Sequence, residues 1–360
     1  MNRPRIGLLL LAMAAIGAVL AAACGGDNAG AKTTTVPAGT TTTAANSPAP
    51  AAPAWKDKKI TFAVVPSEDT AGLIEKNKIL KEYLEKALPG LTVDLFTGPS
   101  YAVVIEAAKS EKVDFIVFGP FSYVIAKDTG AKIESALATQ ADPNTKPGYW
   151  STMYVRGDSG FTKLEDLKGK EDTTPIAFVD PGSTSGYLAP NNMLKMAGLD
   201  LAKIQKNQLL AGGHDKTALA VYQGKTKVGV SYEQMLYDLC KKGLINRVVD
   251  KAEGGYLKGD CQKDGASTDT KDDLIIVKKF LLPASPVAYR TTLDPKISSA
   301  VIDALFNWKK TDKASAVKWF ASIGDSKADT TEMVRYTDSE YGQIRQMCLQ
   351  PELKDICPKK

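Results

Sequence analysis

Short apolar runs alternate with amphipathic stretches along most of the chain. The runs at residues 59–65, 91–96 and 113–118 are rich in β-branched and aromatic residues and predict strands. Residues 73–88 and 101–110 have the apolar spacing and composition of helices. Strands that alternate with helices indicate βαβ units, in which helices cover both faces of a mainly parallel sheet.

A second α/β series follows a β-type run at residues 149–155. Its predicted elements are strands at 176–179 and 228–230 and helices after residue 185 and at 215–222. We therefore predict an α/β fold of two lobes, each a mainly parallel sheet flanked by helices, between which the chain crosses twice. Lobe 1 comprises residues 55–156 plus 285–360, and lobe 2 comprises residues 157–284. The crossings near 156 and 285 would act as hinges.

The first 23 residues have the pattern of a signal peptide. Arg3 and Arg5 precede an apolar run at residues 6–20, and three alanines then lead to Cys24. A basic start, a short apolar run and small residues before the cleavage point are typical of secreted proteins. Cys24 in this setting resembles the lipidated cysteine of a bacterial lipobox, although Ala21 stands where leucine is commonest. Plain secretion without a lipid is the alternative.

Residues 24–54 consist mainly of Gly, Ala, Thr, Pro, Asn and Ser. Such a segment buries too little apolar surface to offset the entropy lost on ordering, so we predict a disordered tether. No later apolar stretch approaches the roughly 20 residues that a membrane span needs. We expect an exported protein that is lipid-anchored through Cys24 to the outer face of the cell membrane, or periplasmic.

The remaining cysteines are Cys240, Cys261, Cys348 and Cys357. An even set in an oxidising compartment predicts disulfides, and proximity along the chain favours the pairs Cys240–Cys261 and Cys348–Cys357 over the two other pairings. Their wide spacing, without a C-x-x-C motif, argues against the alternative of a zinc site. We predict neither a metal nor a cofactor.

The formal net charge is +5, of which Arg3 and Arg5 leave with the predicted signal. The lysines are interspersed with acidic residues rather than clustered, so the sequence predicts no nucleic-acid-binding surface.

The run Asp180-Pro181-Gly182-Ser183-Thr184-Ser185-Gly186 joins the predicted strand at 176–179 to a helix. The first N–H groups of a helix have no partner within the helix and carry the positive end of its dipole. Three consecutive hydroxyl side chains at that point add donors to a place that already favours anions. The alternative is an ordinary Ser/Thr helix cap.

Five motifs stand in a fixed order along the chain: residues 98–101 (GPSY), 117–123 (VFGPFSY), 180–190 (DPGSTSGYLAP), 212–215 (GGHD) and 230–233 (VSYE). In this order they resemble the phosphonate-binding (phosphate/phosphite/phosphonate) family of ABC-transporter substrate-binding proteins. The resemblance spans nearly the whole folded part. It implies a two-lobed type II periplasmic-binding-protein fold, capture of a small phosphorus oxyanion between the lobes, and delivery to permease and ATPase subunits.

The resemblance also implies roles for single residues. Ser183, Thr184 and Ser185 match the donors to the oxyanion oxygens, and Tyr101 and Tyr123 match tyrosines that reach the ligand from the opposite lobe. A phenol adds one donor on a rigid apolar body, although each tyrosine has ordinary half-buried packing as its alternative.

The single histidine, His214, matches an oxyanion-contacting residue of that family. We expect its imidazole to be protonated in the complex. Glu233, after Tyr232, matches a carboxylate that pairs with the amine of aminoalkyl phosphonates; a charge that favours a helix start is the equal alternative. Lys227 stands where many relatives carry aspartate, and residues 254–273 have no clear counterpart. The ligand's tail therefore stays open.

An enzyme is the competing functional class. Ser183 or Ser185 with His214 and Glu233 supplies the residue types of a catalytic triad, but the chain has no Gly-x-Ser-x-Gly motif, and adjacent hydroxyls suit an anion cradle better. We predict a monomeric, non-enzymatic binding protein of an ABC importer, with phosphonate as its first ligand. Phosphite, phosphate or another small ligand is the alternative, ahead of a surface lipoprotein without a transport role or a hydrolase.

Overall fold

A computed structural model describes residues 52–252, 261–262, 265, 269–325 and 327–357. The predicted signal peptide, Cys24, nearly all of the tether, and residues 254–260 of the long polar segment lie outside this part of the chain. No helix within these ranges is long and apolar enough to cross a membrane.

Strands in the described part of the chain form two sheets, one of six strands and one of seven. In chain order they are β1 Lys58–Val64, β2 Leu91–Phe96, β3 Phe115–Val117, β4 Ile133–Gln140, β5 Gly148–Arg156, β6 Ile176–Phe178, β7 Leu209–Leu210, β8 Val228–Tyr232, β9 Arg247–Asp250, β10 Cys261–Gln262, β11 Leu274–Pro283, β12 Val287–Arg290 and β13 Glu332–Arg335.

The helices follow the strands in the alternation that the apolar pattern predicts. They are α1 Thr70–Ala87, α2 Tyr101–Lys109, α3 Pro120–Asp128, α4 Ala189–Met196, α5 Leu201–Lys206, α6 His214–Tyr222, α7 Glu233–Lys241, α8 Pro295–Phe306, α9 Trp308–Thr311, α10 Lys313–Ser322 and α11 Gly342–Cys348.

The two-lobed α/β class is confirmed, but both sheets are mixed rather than mainly parallel. In the six-stranded sheet, of order β13-β4-β12-β3-β1-β2, β1 pairs in parallel with β2 and β3, whereas the other three pairings are antiparallel. In the seven-stranded sheet, of order β10-β9-β11-β5-β8-β6-β7, β5 runs antiparallel to both β8 and β11. Both sheets contain antiparallel strands because the chain crosses from one sheet to the other and back. The local apolar pattern does not predict these crossings.

The first crossing lies earlier than we expected. Strand β5 belongs to the seven-stranded sheet, so the chain changes sheets between Gln140 and Gly148 rather than near residue 156. The second change falls between Pro283 and Val287, close to the expected 285. The lobe boundaries themselves stay a prediction, with the first moved to the start of β5.

Apolar packing holds each sheet to its helices. One cluster includes Phe62, Leu80 and Trp308 of the six-stranded side, and a second includes Tyr154, Val221 and Leu236 of the seven-stranded side. The largest cluster contains residues of both sheets, so the two sheets share a continuous core. The four predicted cysteines also meet as expected, with sulfur–sulfur distances of 2.19 Å for Cys240 and Cys261 and 2.10 Å for Cys348 and Cys357.

Candidate ligand-binding site

A cavity of about 290 Å³ lies between the two sheets. Residues from the six-stranded side, such as Tyr101 and Gly119, face residues from the seven-stranded side, such as Tyr149, Ser183 and His214. The volume exceeds what a few water molecules occupy, so the cavity can hold a small ligand.

The Ser-Thr-Ser run forms one wall of this cavity. Thr184–Leu188 makes a single π-helical turn that continues into α4, and the hydroxyl oxygen of Ser183 caps it by accepting from Gly186 N at 3.1 Å. A Cβ added at Gly186 would lie 2.3 Å from Val179 Cγ2, so the turn can pack this closely only with glycine there. The hydroxyl groups of Ser183, Thr184 and Ser185 therefore lie together in a buried turn.

This turn touches the opposite side of the cleft. Phe121 N, at the start of α3, donates to Thr184 Oγ1 at 2.8 Å, which leaves the hydroxyl proton of Thr184 to act as a donor. Asp180 Oδ2 accepts from Tyr101 N at 3.4 Å. A Cβ at Gly119 would lie 2.9 Å from Thr184 Oγ1, so the close approach of the two sides requires glycine there.

Four helices, α2, α3, α6 and α7, begin at the cavity. Their N-cap residues make no side-chain cap hydrogen bond; they are Ser100, Gly119, Gly213 and Tyr232. The positive ends of the dipoles of α3, α6 and α7 therefore face the cavity without an N-cap carboxylate, whereas the first N–H of α2 donates to Asp180. This convergence favours an anion even though the Ser-Thr-Ser wall contains no cationic side chain.

Two tyrosines complete the donor set. The Tyr101 hydroxyl interacts with Ser183, and burial raises its pKa. Burial also raises the pKa of Tyr149 to about 12, against the opposing effect of hydrogen bonds with Ser185 and Thr184. Both phenols stay protonated at neutral pH and can donate. The sequence analysis missed Tyr149, whose only signal was its place at the start of a β-type run.

Tyr123 does not reach the cavity, which contradicts its predicted role. Its ring is fully buried and packs 4.9 Å from the ring of Tyr341, and its hydroxyl oxygen accepts from Ser135 N at 3.2 Å. Only the start of α3 faces the cavity, and Tyr123 lies one turn further along, on the face that packs into the core. Ordinary packing, the alternative reading, describes this residue.

His214 lies at the start of α6 and lines the cavity. Its Nε2 lies 3.4 Å from Ser183 Oγ and its Nδ1 lies 3.3 Å from Ser231 Oγ. Burial lowers the pKa of His214 to about 3, so the ring is neutral at pH 7 in this environment, and its protonation in the complex stays a prediction. A neutral imidazole still offers one donor and one acceptor nitrogen.

The triad residue types are present without triad geometry. The Nδ1 atom of His214 faces the Ser231 hydroxyl, whereas a triad places a carboxylate there. Glu233 contacts Lys279 instead, with Nζ 2.7 Å from Oε1. Within the described ranges, no cluster of three or more His, Cys, Asp and Glu residues is arranged to hold a metal ion.

Tyr232 and Glu233 both line the cavity at the start of α7. Glu233 is buried, and the lysine that contacts it was not among the predicted site residues. Glu68 and Lys76, also missed, line the cavity and form an ion pair of 2.6 Å. Lys227 is exposed and is not part of the cavity wall, so its departure from the family pattern has no direct effect on the pocket.

Comparisons with known proteins identify relatives along most of the chain. The chain is 31% identical over 305 residues to the phosphate-import protein PhnD of Mycolicibacterium smegmatis, covering 80% of this chain and 84% of that protein. It is 26% identical over 305 residues to the phosphonates-binding periplasmic protein of Escherichia coli, covering 85% and 80%.

Solved structures share the fold. The binding component of a Pseudomonas aeruginosa ABC phosphonate transporter superimposes with a TM-score of 0.65 at 23% identity, over 81% of this chain and 86% of that one. PhnD1 of Prochlorococcus marinus, solved with methylphosphonate, gives 0.63 at 16% identity, over 81% and 98%. Residues 62–340 match the family described as "ABC transporter, phosphonate, periplasmic substrate-binding protein". The chain belongs to this family of periplasmic substrate-binding proteins.

Proposed function

We propose that this protein is the substrate-binding component of an ABC importer and that it captures a small phosphorus oxyanion in the cavity between its lobes. The observation that carries the proposal is the meeting of the Ser183-Thr184-Ser185 turn with four helix starts whose N-cap residues make no side-chain cap hydrogen bond. Hydroxyl and N–H donors form stronger hydrogen bonds to a charged acceptor than to a neutral one, and burial strengthens them further.

The relatives support a phosphorus ligand over other oxyanions. Two curated relatives are named for phosphate import and phosphonate binding, and one solved relative holds methylphosphonate. A tetrahedral group with several oxygens can accept from Ser183, Thr184, Ser185, Tyr101 and Tyr149 together. The ligand for this site is therefore phosphate, phosphite or a phosphonate.

Contacts across the cleft support a closing motion. Thr184 accepts from Phe121 N, and His214 N donates to Ser67 O at 2.9 Å, so the Ser-Thr-Ser side and the opposite side are joined directly. A ligand that adds further bridging hydrogen bonds favours this closed arrangement over an open one. The two chain crossings, at 141–147 and 284–286, are the proposed hinges.

The cellular setting follows from the sequence pattern and the family. The protein is exported and, through Cys24, lipid-anchored to the outer face of the cell membrane. It acts there as a monomer that delivers its ligand to permease and ATPase subunits. Disulfide bonds join Cys240 to Cys261 and Cys348 to Cys357, in keeping with their sulfur–sulfur distances.

Isothermal titration tests the proposal. The purified protein is titrated with phosphate, phosphite, methylphosphonate and sulfate, and the titrations are repeated with Ser183→Ala. We expect submicromolar binding of a phosphorus oxyanion and at least about tenfold weaker binding by the variant, or about 1.4 kcal/mol. Ser339→Ala, which changes an exposed serine away from the cavity, is the matched control. Binding of none of the phosphorus ligands contradicts the proposal.

A further inference from the structure

The acidic side chains of the cavity wall are already engaged within the chain. Glu233 Oε1 lies 2.7 Å from Lys279 Nζ, and Glu68 Oε1 lies 2.6 Å from Lys76 Nζ. The third acid of the wall, Asp325, accepts from Lys327 N at 2.8 Å and from the Thr331 hydroxyl at 2.5 Å. Both glutamates of the wall thus have a lysine ammonium of this chain as counterion.

The pair of Glu233 and Lys279 is the more deeply buried of the two. The Lys279 side chain has no exposed surface, and that of Glu233 is 5% exposed. Lys279 also contacts Asp250, so its ammonium lies between two carboxylates. Removing a charge from water is unfavourable unless a partner compensates for it, and the single ammonium of Lys279 is a partner that Glu233 and Asp250 share.

A bulge in β11 places Lys279 at this position. Ile276 pairs with Tyr154, but the next pair is Lys278 with Met153, so Val277 is an extra residue without a partner on β5. The side-chain alternation therefore shifts by one, and Lys279, opposite Thr152, lies on the same face as Ile276. Lys278 is left exposed on the other face.

The internal counterion affects which ligand fits. A carboxylate close to a bound oxyanion repels it unless a cation lies beside the carboxylate. A ligand could bring that cation as an ammonium group on its tail, but Lys279 already fills this role. A tail ammonium that turned to Glu233 would have to compete with a buried lysine, whose charge would lose part of its compensation.

The apolar part of the cavity wall suits an uncharged tail or none. Beyond the Ser-Thr-Ser turn, the wall combines polar side chains such as Asn77, Gln234 and Asp325 with apolar ones, which are Val65, Leu73, Val287, Trp319 and Ile323. These apolar side chains accept a methyl or short alkyl group and offer no acceptor to an ammonium group.

From these contacts we infer that the ligand's fourth substituent carries no positive charge, and that Lys279 excludes aminoalkyl phosphonates by occupying the carboxylate that their ammonium would need. The site takes phosphate, phosphite or a phosphonate with an uncharged tail. This inference rests on the proposed function and narrows its ligand class.

Two ligands of matched shape test the inference. Propylphosphonate and 2-aminoethylphosphonate differ in a terminal methyl against a terminal ammonium. Titration of the wild-type protein is expected to give at least tenfold tighter binding of propylphosphonate. Lys279→Met is expected to reduce the ratio of the two ligands' dissociation constants at least tenfold. Lys279→Arg, which keeps the charge, is expected to preserve the preference for propylphosphonate. Lys278→Met, on the exposed face of the same strand, leaves it unchanged.

The outcomes separate the two proposals. If wild-type protein binds 2-aminoethylphosphonate as tightly as propylphosphonate or more tightly, the inference is wrong and the proposed function stands. The role of Lys279 is also refuted if Lys279→Met folds and keeps the wild-type ratio, or if phosphate binds while neither tailed ligand does. If no phosphorus ligand binds, the proposed function fails, and the inference fails with it.

Discussion

Two groups of helix starts in this molecule deal with the same electrostatic problem in different ways. The N-cap residues of α1, α5, α8 and α10 are not part of the cavity wall, and each is an aspartate whose side chain accepts from a first-turn N–H; the four are Asp69, Asp200, Asp294 and Asp312. Helices α2, α3, α6 and α7 begin at the cavity, and their own N-cap side chains make no such bond, although at α2 the more distant Asp180 accepts from Tyr101 N. In the outer group the N-cap residue itself supplies the anion, whereas the N-cap side chains of the inner group supply none at the cavity, where a ligand can take that role.

The largest expected effect comes from giving an inner helix the cap of an outer one. In Gly119→Asp the new Cβ would lie 2.9 Å from Thr184 Oγ1, and a carboxylate would stand at the start of α3. We expect ligand affinity to fall at least about 100-fold, or about 2.7 kcal/mol, by isothermal titration. Gly342→Asp, at the start of α11 where an added Cβ has open space, is the matched control. Equal affinity in the two variants refutes the comparison.

The buried histidine of α6 should make the free energy of unfolding depend on pH in the acid range. The folded pKa of His214 is about 3, below the ordinary 6.5, so the unfolded chain binds a proton that the folded protein does not. Stability is therefore lost as pH falls below about 6.5. Between pH 6 and 4.5 this group should lower the free energy of unfolding by about 2 kcal/mol.

Urea denaturation at several pH values measures this effect as the difference between wild type and His214→Gln, because the carboxylates that also titrate are common to both. The variant should show a shallower loss of stability over this interval. Parallel curves for the two proteins would mean that the ring is accessible to protons in the folded state.

A comparison of two tyrosines tests the site at the level of single hydroxyls. Tyr149→Phe removes a donor that interacts with Ser185 and Thr184 at the cavity, and should weaken ligand binding about tenfold, or about 1.4 kcal/mol. Tyr123→Phe removes a hydroxyl that accepts from Ser135 N in the core, and should leave affinity unchanged. If titration instead shows weaker binding by Tyr123→Phe and unchanged binding by Tyr149→Phe, Tyr123 contacts the ligand as the sequence predicted.

The smallest expected effect comes from removing the N-cap aspartate of a helix in the outer group. Asp294→Ala removes the acceptor for Lys296 N at the start of α8 and should lower the free energy of unfolding by about 1 kcal/mol. Ligand affinity should not change, because α8 does not line the cavity. The urea midpoint and a titration of the same variant check both statements, and a loss of affinity would count against separate roles for the two groups.

Local sequence was enough to predict the elements and part of the site. The Ser-Thr-Ser turn, Tyr101, His214, Tyr232 and Glu233 all line the cavity, because each stands where a predicted strand gives way to a helix. Such junctions are visible as a change of apolar period along the chain.

What sequence could not predict depends on contacts between distant segments. Lys279 meets Glu233 from 46 positions away, and only the bulge in β11 decides that Lys279 rather than Lys278 faces inward. Tyr149 enters the site because β5 belongs to the seven-stranded sheet, a pairing that the run of apolar residues does not specify. Tyr123 belongs to the same motif as Gly119. It lies one helical turn further along, however, on the face that packs into the core rather than at the cavity.

A crystal structure of the protein with methylphosphonate tests the central claim most directly. We expect phosphonate oxygens within hydrogen-bond distance of the Ser183, Thr184 and Ser185 hydroxyls, with His214 as a further contact and the starts of α2, α3, α6 and α7 directed at the ligand. A ligand bound elsewhere, or one held by the lysines of the wall rather than by the hydroxyl turn, would contradict the account.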